Sequence, residues 1–200
     1  MNIKVCGMRE AENIRHIEAL GIDMMGFIFW PESSRYVCSP PHYLPTKCKR
    51  VGAFVDASIE AGIQHSLDYQ LDIIQLHGHE TPAFAHQLSQ WTTIKVFNIA
   101  TSDDLIQTKA YEGSVDFFLF DTKGKSIGGN GEKFDWSVLD AYKGRTPFLL
   151  SGGIGPEDAE RVKAFRHPRC MGIDLNSRFE TAPGLKDVNQ LKEFIQQIRL

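Results

Sequence analysis

Two side chains in this 200-residue chain stand where proton transfer could be carried out, Cys6 beside Gly7 and Asp121 after Phe117-Phe118-Leu119-Phe120. A thiol with a glycine beside it to admit a substrate is a candidate base or nucleophile. An inert buried thiol fits the same pattern. A carboxyl after four large apolar residues is poorly solvated, which raises its pKa and suits a general acid. An aspartate that only hydrogen-bonds the next loop fits as well. The third suggestive stretch is Gly152-Gly153-Ile154-Gly155, after the apolar run Phe148-Leu149-Leu150 and before Pro156-Glu157-Asp158. Backbone N–H groups on such a turn make a phosphate cradle, and a tight strand-to-helix turn without a ligand is the other reading. Gly172-Ile173-Asp174-Leu175-Asn176-Ser177 is a second small polar turn able to donate to the same anion. Arg35 offers a planar guanidinium that can clamp a carboxylate, although most loop arginines are only solvated.

These groups need elements to hold them. Short apolar runs at Asn2–Cys6, Met24–Phe29, Arg50–Val55, Asp72–Leu76, Thr92–Phe97, Asp116–Asp121, Phe148–Leu150 and Cys170–Asp174 read as strands. Between them lie helix patterns near Glu10–Leu20, Pro41–Leu44, Ser58–Ser66, Thr81–Leu88, Ser102–Tyr111, Asp135–Tyr142 and Pro156–Phe165. A last helix at Asp187–Arg199 carries Val188, Leu191, Phe194, Ile195 and Ile198 on one face. Strict alternation argues for a parallel sheet with helices outside. Eight units at about 25 residues each, with no composition break, predict one compact (β/α)₈ TIM barrel over residues 1–200. An open doubly wound sheet is the competing architecture. In a barrel, reactive groups sit at the carboxyl ends of strands, and phosphate sites follow strands seven and eight. Period two then puts Lys4 with Cys6, Gln75 with His77, and Lys95 with Phe97 toward the interior. The glycine-rich loop Lys123–Lys133 is expected to serve as a lid.

Composition removes several classes. Lys and Arg total 22 against 25 Asp and Glu, giving −3, so no basic surface argues for nucleic acid. No apolar run is long enough to span a bilayer, and the opening Met-Asn-Ile-Lys-Val-Cys lacks a signal-peptide core. Cys6, Cys38, Cys48 and Cys170 are scattered without a Cys-x-x-Cys pair, as suits reduced thiols in the cytoplasm. His77 and His79 flank Gly78 without a third ligand pattern, so no metal is read there.

Taken in order, Lys4-Val5-Cys6-Gly7-Met8-Arg9, Gly26-Phe27-Ile28-Phe29 with Ser34-Arg35-Tyr36-Val37, and Val51-Gly52-Ala53-Phe54-Val55 resemble the phosphoribosylanthranilate isomerase family. So do Gln75-Leu76-His77-Gly78, Phe120-Asp121-Thr122 with Gly128-Gly129-Asn130-Gly131 and Phe134-Asp135-Trp136, Leu150-Ser151-Gly152-Gly153-Ile154, and Gly172-Ile173-Asp174. The resemblance spans nearly the whole chain. It implies an Amadori rearrangement of a phosphorylated aminosugar in tryptophan biosynthesis, without a cofactor and in a monomer. It implies Asp121 as general acid and Cys6 as general base. It also implies Arg35 on the anthranilate carboxylate, with Asp174 and His77 as further substrate contacts. Gly129, Asn130, Gly131, Gly153, Ile154, Asn176 and Ser177 would hold the phosphate. Three departures stand out: Asn130 replaces a usual Thr or Ser, Asp56 a usual Asn, and Asn176-Ser177-Arg178-Phe179-Glu180 a usual Ser-Ser-Gly-Val-Glu. Rival readings are a histidine-pathway aminoaldose isomerase, a Schiff-base aldolase using Lys95, and a non-catalytic phosphate-binding barrel.

Overall fold

β-Branched and aromatic runs too short for helices pair edge to edge, and the right-handed twist of the sheet brings its last strand back to its first. The computed structural model describes residues 1–122 and 135–200. Eight parallel strands close a barrel in chain order: β1 (Asn2–Val5), β2 (Met24–Ile28), β3 (Lys49–Phe54), β4 (Ile73–Leu76), β5 (Thr92–Ile99), β6 (Phe117–Thr122), β7 (Phe148–Ser151) and β8 (Cys170–Leu175). Asn2 to Val5 face Gly172 to Leu175 and complete the ring. The expected (β/α)₈ architecture is the one found.

The outer layer is less regular than expected. Five α-helices are seen among the described residues: α1 (Ala11–Glu18), α2 (Ile59–Asp68), α3 (Pro82–His86), α4 (Ala159–Ala164) and α5 (Val188–Arg199). Ser58, Thr81 and Asp187 cap α2, α3 and α5 by accepting from Ala61, Phe84 and Gln190 N–H groups. The segments Ser102–Tyr111 and Trp136–Ala141 are 3₁₀-helices. Their buried residues explain this: Leu105 with Thr108, and Trp136 with Leu139, recur every three positions, which a three-residue turn stacks in line. The expected helix at Pro41–Leu44 is absent. Pro40, Pro41 and Pro45 lack N–H donors and push the residues before them out of helical backbone. Glu18 on α1 holds this segment instead, accepting from Tyr43 Oη (2.5 Å), Thr46 N and Lys47 N (2.5 Å). After β8 comes an unanticipated antiparallel hairpin, β9 (Glu180–Ala182) and β10 (Leu185–Lys186), turning at Gly184 with φ +81°.

Two apolar clusters divide at the barrel wall. Met24, Val51, Ile73, Ile94, Val96, Leu119 and Leu149 fill the interior, while a larger cluster lies between strands and helices. This division reverses one expectation. Ile94 and Val96 point inward, so Lys95 and Phe97 point outward. Both parities of β5 carry apolar residues, so alternation alone could not decide its register, and Glu80 supplies the partner that keeps Lys95 outside. Lys95 Nζ donates to Glu80 Oε2 (2.9 Å) and Gly78 O (2.6 Å) beneath the helical layer. A Schiff-base role for Lys95 loses its premise of an interior lysine.

Among the described residues, a charged pair interrupts the apolar interior. Lys4 is fully buried and its Nζ lies 2.8 Å from Asp174 Oδ1, across the β1–β8 seam. Burial works against the Lys4 ammonium, yet Asp174 and the Cys6 thiol together hold its pKa above the ordinary lysine value. Asp174→Asn removes the balancing charge and is expected to cost about 3–5 kcal/mol of stability. Urea unfolding should show a lower midpoint at unchanged slope. A midpoint equal to that of the parent protein would mean that the pair does not carry the seam.

Candidate active site

A cavity of about 410 Å³ opens at the carboxyl ends of the strands. It is lined by Cys6 after β1, Gln75 and His77 at β4, Asn98 on β5, Asp121 on β6, Ser151 and Gly152–Ile154 at β7, and Asp174, Asn176, Ser177 and Arg178 at β8. The candidate acid and base thus share one cavity with both turns expected to hold an anion. Inward parity explains each placement, since Asp121 continues the row of Leu119, Asp174 faces Lys4, and Cys6 follows Lys4 by two.

The electrostatics around Cys6 are opposed. Burial pushes its thiol pKa up, Lys4 and Lys186 pull it down, and Asp174 adds to the rise, so the net direction is upward. His77 is pushed down to about 4, chiefly by burial and next by the Lys4 charge, which leaves a neutral imidazole in the cavity. Its Nδ1 lies 3.4 Å from Gln75 Nε2. Ser151 Oγ donates to Asp174 Oδ2 at 3.3 Å, so Asp174 is shared between Lys4 and β7.

The glycine turn has the backbone its composition implied. Gly152 and Gly153 adopt φ of +95° and +68°, a region costly for residues bearing Cβ. Asp158 then accepts from Gly155 N at 2.8 Å, and a short 3₁₀ turn, Pro156–Asp158, leads into α4. Phe179, fully buried against Phe194 at 5.0 Å, pins the second turn to α5. Arg178, which stands where glycine was expected, reaches Glu157 Oε1 at 2.6 Å and joins the two turns.

Arg35 packs beside Gly7 and is not among the residues that line the cavity. Its Nε and Nη2 donate to both oxygens of Glu180 at 2.6–3.0 Å. Glu180 and Lys186 were not singled out in the sequence as site residues, because the hairpin carrying them is too short for a strand pattern. Its Pro183-Gly184 turn was the available cue. Asn98 and Ser151 could have been found by counting two from Val96 and Leu149. Asp56, at φ +49°, occupies left-handed backbone that Asn and Asp tolerate, and its carboxylate accepts from His79 N at 2.5 Å. Gly129, Asn130, Gly131 and the expected lid lie outside the described residues.

No helix among the described residues is long and apolar enough to cross a membrane. A sequence model of the N-(5′-phosphoribosyl)anthranilate (PRA) isomerase family matches residues 3–197. The chain is 54% identical to N-(5′-phosphoribosyl)anthranilate isomerase of Parabacteroides distasonis, over 99% of this chain and 93% of that one. It is 51% identical to the enzyme of the same name from Phocaeicola vulgatus, over 98% and 100%. The crystal structure of phosphoribosyl anthranilate isomerase from Thermotoga maritima superposes with a TM-score of 0.83 at 28% identity, over 100% of this chain and 98% of that one. Another phosphoribosyl anthranilate isomerase, solved with reduced 1-(o-carboxyphenylamino)-1-deoxyribulose 5-phosphate, also gives 0.83, at 27% identity over the same shares. With the barrel, the cavity and a match over nearly its whole length, the chain belongs to the N-(5′-phosphoribosyl)anthranilate isomerase family.

Proposed function

We propose that Cys6 and Asp121 are the base and acid with which this enzyme isomerises N-(5′-phosphoribosyl)anthranilate in tryptophan biosynthesis. The observation that carries the assignment is their position in one cavity, at the ends of β1 and β6, together with the turns after β7 and β8. Protonation of the furanose ring oxygen by the Asp121 carboxyl breaks its bond to the anomeric carbon. The anthranilate nitrogen supplies the electron pair, and a Schiff base results. The Cys6 thiolate then removes the proton from the neighbouring carbon, and those electrons pass into the iminium to give an enolamine. Tautomerisation of that enolamine leaves the ketone. One acid and one base complete the proton inventory.

The remaining residues hold the substrate. Gly153 and Ile154 on one turn, and Asn176 and Ser177 on the other, would take the phosphate, joined by Gly129, Asn130 and Gly131 of the loop after β6. Arg35 would take the anthranilate carboxylate, Asp174 would stand near the anthranilate nitrogen, and neutral His77 would donate or accept without adding charge. Binding energy from the two anionic ends positions the sugar for proton transfer. We infer further that the enzyme works as a cytoplasmic monomer over a single domain.

Turnover is followed as loss of anthranilate-type fluorescence. Cys6→Ala and Asp121→Asn should each lower kcat by about 10²–10⁴-fold while leaving the far-ultraviolet circular dichroism unchanged. Full activity in Cys6→Ala would remove the assigned base. The pH dependence follows from the raised thiol pKa, since the base is active only when ionised. In Asp121→Asn, where the acid no longer titrates, the residual kcat/KM should therefore climb about tenfold per pH unit through the neutral range and level off only above the ordinary cysteine value. A plateau beginning below neutrality in that variant would contradict Cys6 as the base.

A further inference from the structure

The reaction needs a thiolate at Cys6, yet burial opposes one and Lys4, the nearest cation on its own strand, is balanced by Asp174. Behind Gly7 lies a second charged cluster, in which Lys186 and Glu180 have no part in the roles assigned above. Glu180 accepts from Arg35 (2.6–3.0 Å), from Lys186 Nζ (2.6 Å) and from Gly184 N (3.0 Å). Lys186 Nζ also donates to Asn176 Oδ1 at 2.8 Å. Two cations share one carboxylate, so the cluster carries a surplus positive charge. It converges on the residue after Cys6: a Cβ placed on Gly7 would lie 2.7 Å from Asn176 Oδ1, 2.8 Å from Arg35 Cδ and 3.4 Å from Lys186 Nζ.

Lys186 is built into this position. Its side chain is fully buried and that of Glu180 is 5% exposed. Its backbone is fixed from both sides by Asn13 of α1, whose Nδ2 donates to Lys186 O at 2.9 Å and whose Oδ1 accepts from Lys186 N at 2.8 Å. A buried ammonium is costly unless its neighbours require it.

We propose that Lys186 is a positioning residue for the isomerisation, holding Glu180 and Asn176 in place and supplying the surplus positive charge beside the Cys6 base. This rests on the reading of Cys6 as that base. When Arg35 engages the substrate carboxylate its charge is spent, and Lys186 is then what offsets Glu180 next to the thiol. The tie to Asn176 links the carboxylate end of the site to the phosphate end. The other groups facing Cys6 are Lys4 beside it, Asp174 from β8, Arg35 from the loop after β2, and Asp121 and neutral His77 across the cavity.

The test measures alkylation of Cys6 by iodoacetamide against pH in the substrate-free protein, with peptide mass spectrometry separating Cys6 from Cys38, Cys48 and Cys170. Lys186→Met should move the alkylation midpoint up by about one pH unit. Glu180→Gln, nearly isosteric, should move it down, because it leaves two cations unbalanced. Lys186→Arg should stay near the parent value. A purely structural role would shift both charge-changing variants in the same direction or in neither, and either result overturns the proposal. If Lys186→Met does not fold, Glu180→Gln decides alone: an acid shift supports the proposal, and no shift or an alkaline one overturns it. Alkylation needs no substrate, so a parent protein that fails to turn over phosphoribosylanthranilate would overturn the proposed roles without bearing on this readout.

Discussion

The buried ion pair of Lys4 and Asp174 is the interaction on which the remaining arrangement depends. It lies where the ring of strands must join its own beginning, at a register that pairs Asn2–Val5 with Gly172–Leu175. A one-residue slip of a strand exchanges its two faces. At this seam a slip would carry Lys4 out of the interior, strand Asp174 without its cation, and turn Cys6 away from the cavity. Charge pairing therefore enforces a register that apolar residues alone, tolerant of Val, Ile or Leu at any interior position, would leave degenerate. The pair costs desolvation, and placing it among reactive groups makes that cost useful.

The same logic is repeated outside the wall with a different outcome. Lys95 and Glu80 are as deeply buried as Lys4 and Asp174, but they face the helical layer. Glu80 accepts from Asp56 N and Gly78 N, and Lys95 donates to Gly78 O, so this pair shapes the loop after β4 and sets where His77 stands. Buried charges thus support the site from within the barrel and from behind it. Lys4 and Asp174 stand next to Cys6 itself, whereas Lys95 and Glu80 act on the loop that carries His77.

How much of this could be read in the sequence follows from the range of each interaction. The eight strands were legible because burial on both faces selects continuous apolar runs, and because glycine turns and capping residues punctuate them. Cys6, Asp121, Asp174 and the two turns were legible because the ends of barrel strands are where a chain must place polar groups among apolar ones. The facing of Lys95 was not, since Ile94-Lys95-Val96-Phe97 offers two plausible parities and only Glu80, fifteen residues earlier, decides between them. The missing helix at Pro41–Leu44 was signalled by its prolines, although its anchor, Glu18, is remote in sequence. Lys186 and Glu180 stayed hidden for the same reason. Their meaning resides in Arg35 and Asn13, more than 140 residues away.

The contact between Arg178 and Glu157 differs from all of these in being half exposed, at 53% and 45%. It fastens the turn after β7 to the turn after β8 from the solvent side, whereas the buried pairs act from within. Mobile ions screen an exposed bridge far more than a buried one. The stiffness of the two turns relative to each other therefore varies with ionic strength, while the buried Lys4–Asp174 pair beneath them does not. In this chain the medium adjusts how firmly the two turns are fastened to each other, and the interior pairs hold regardless of it.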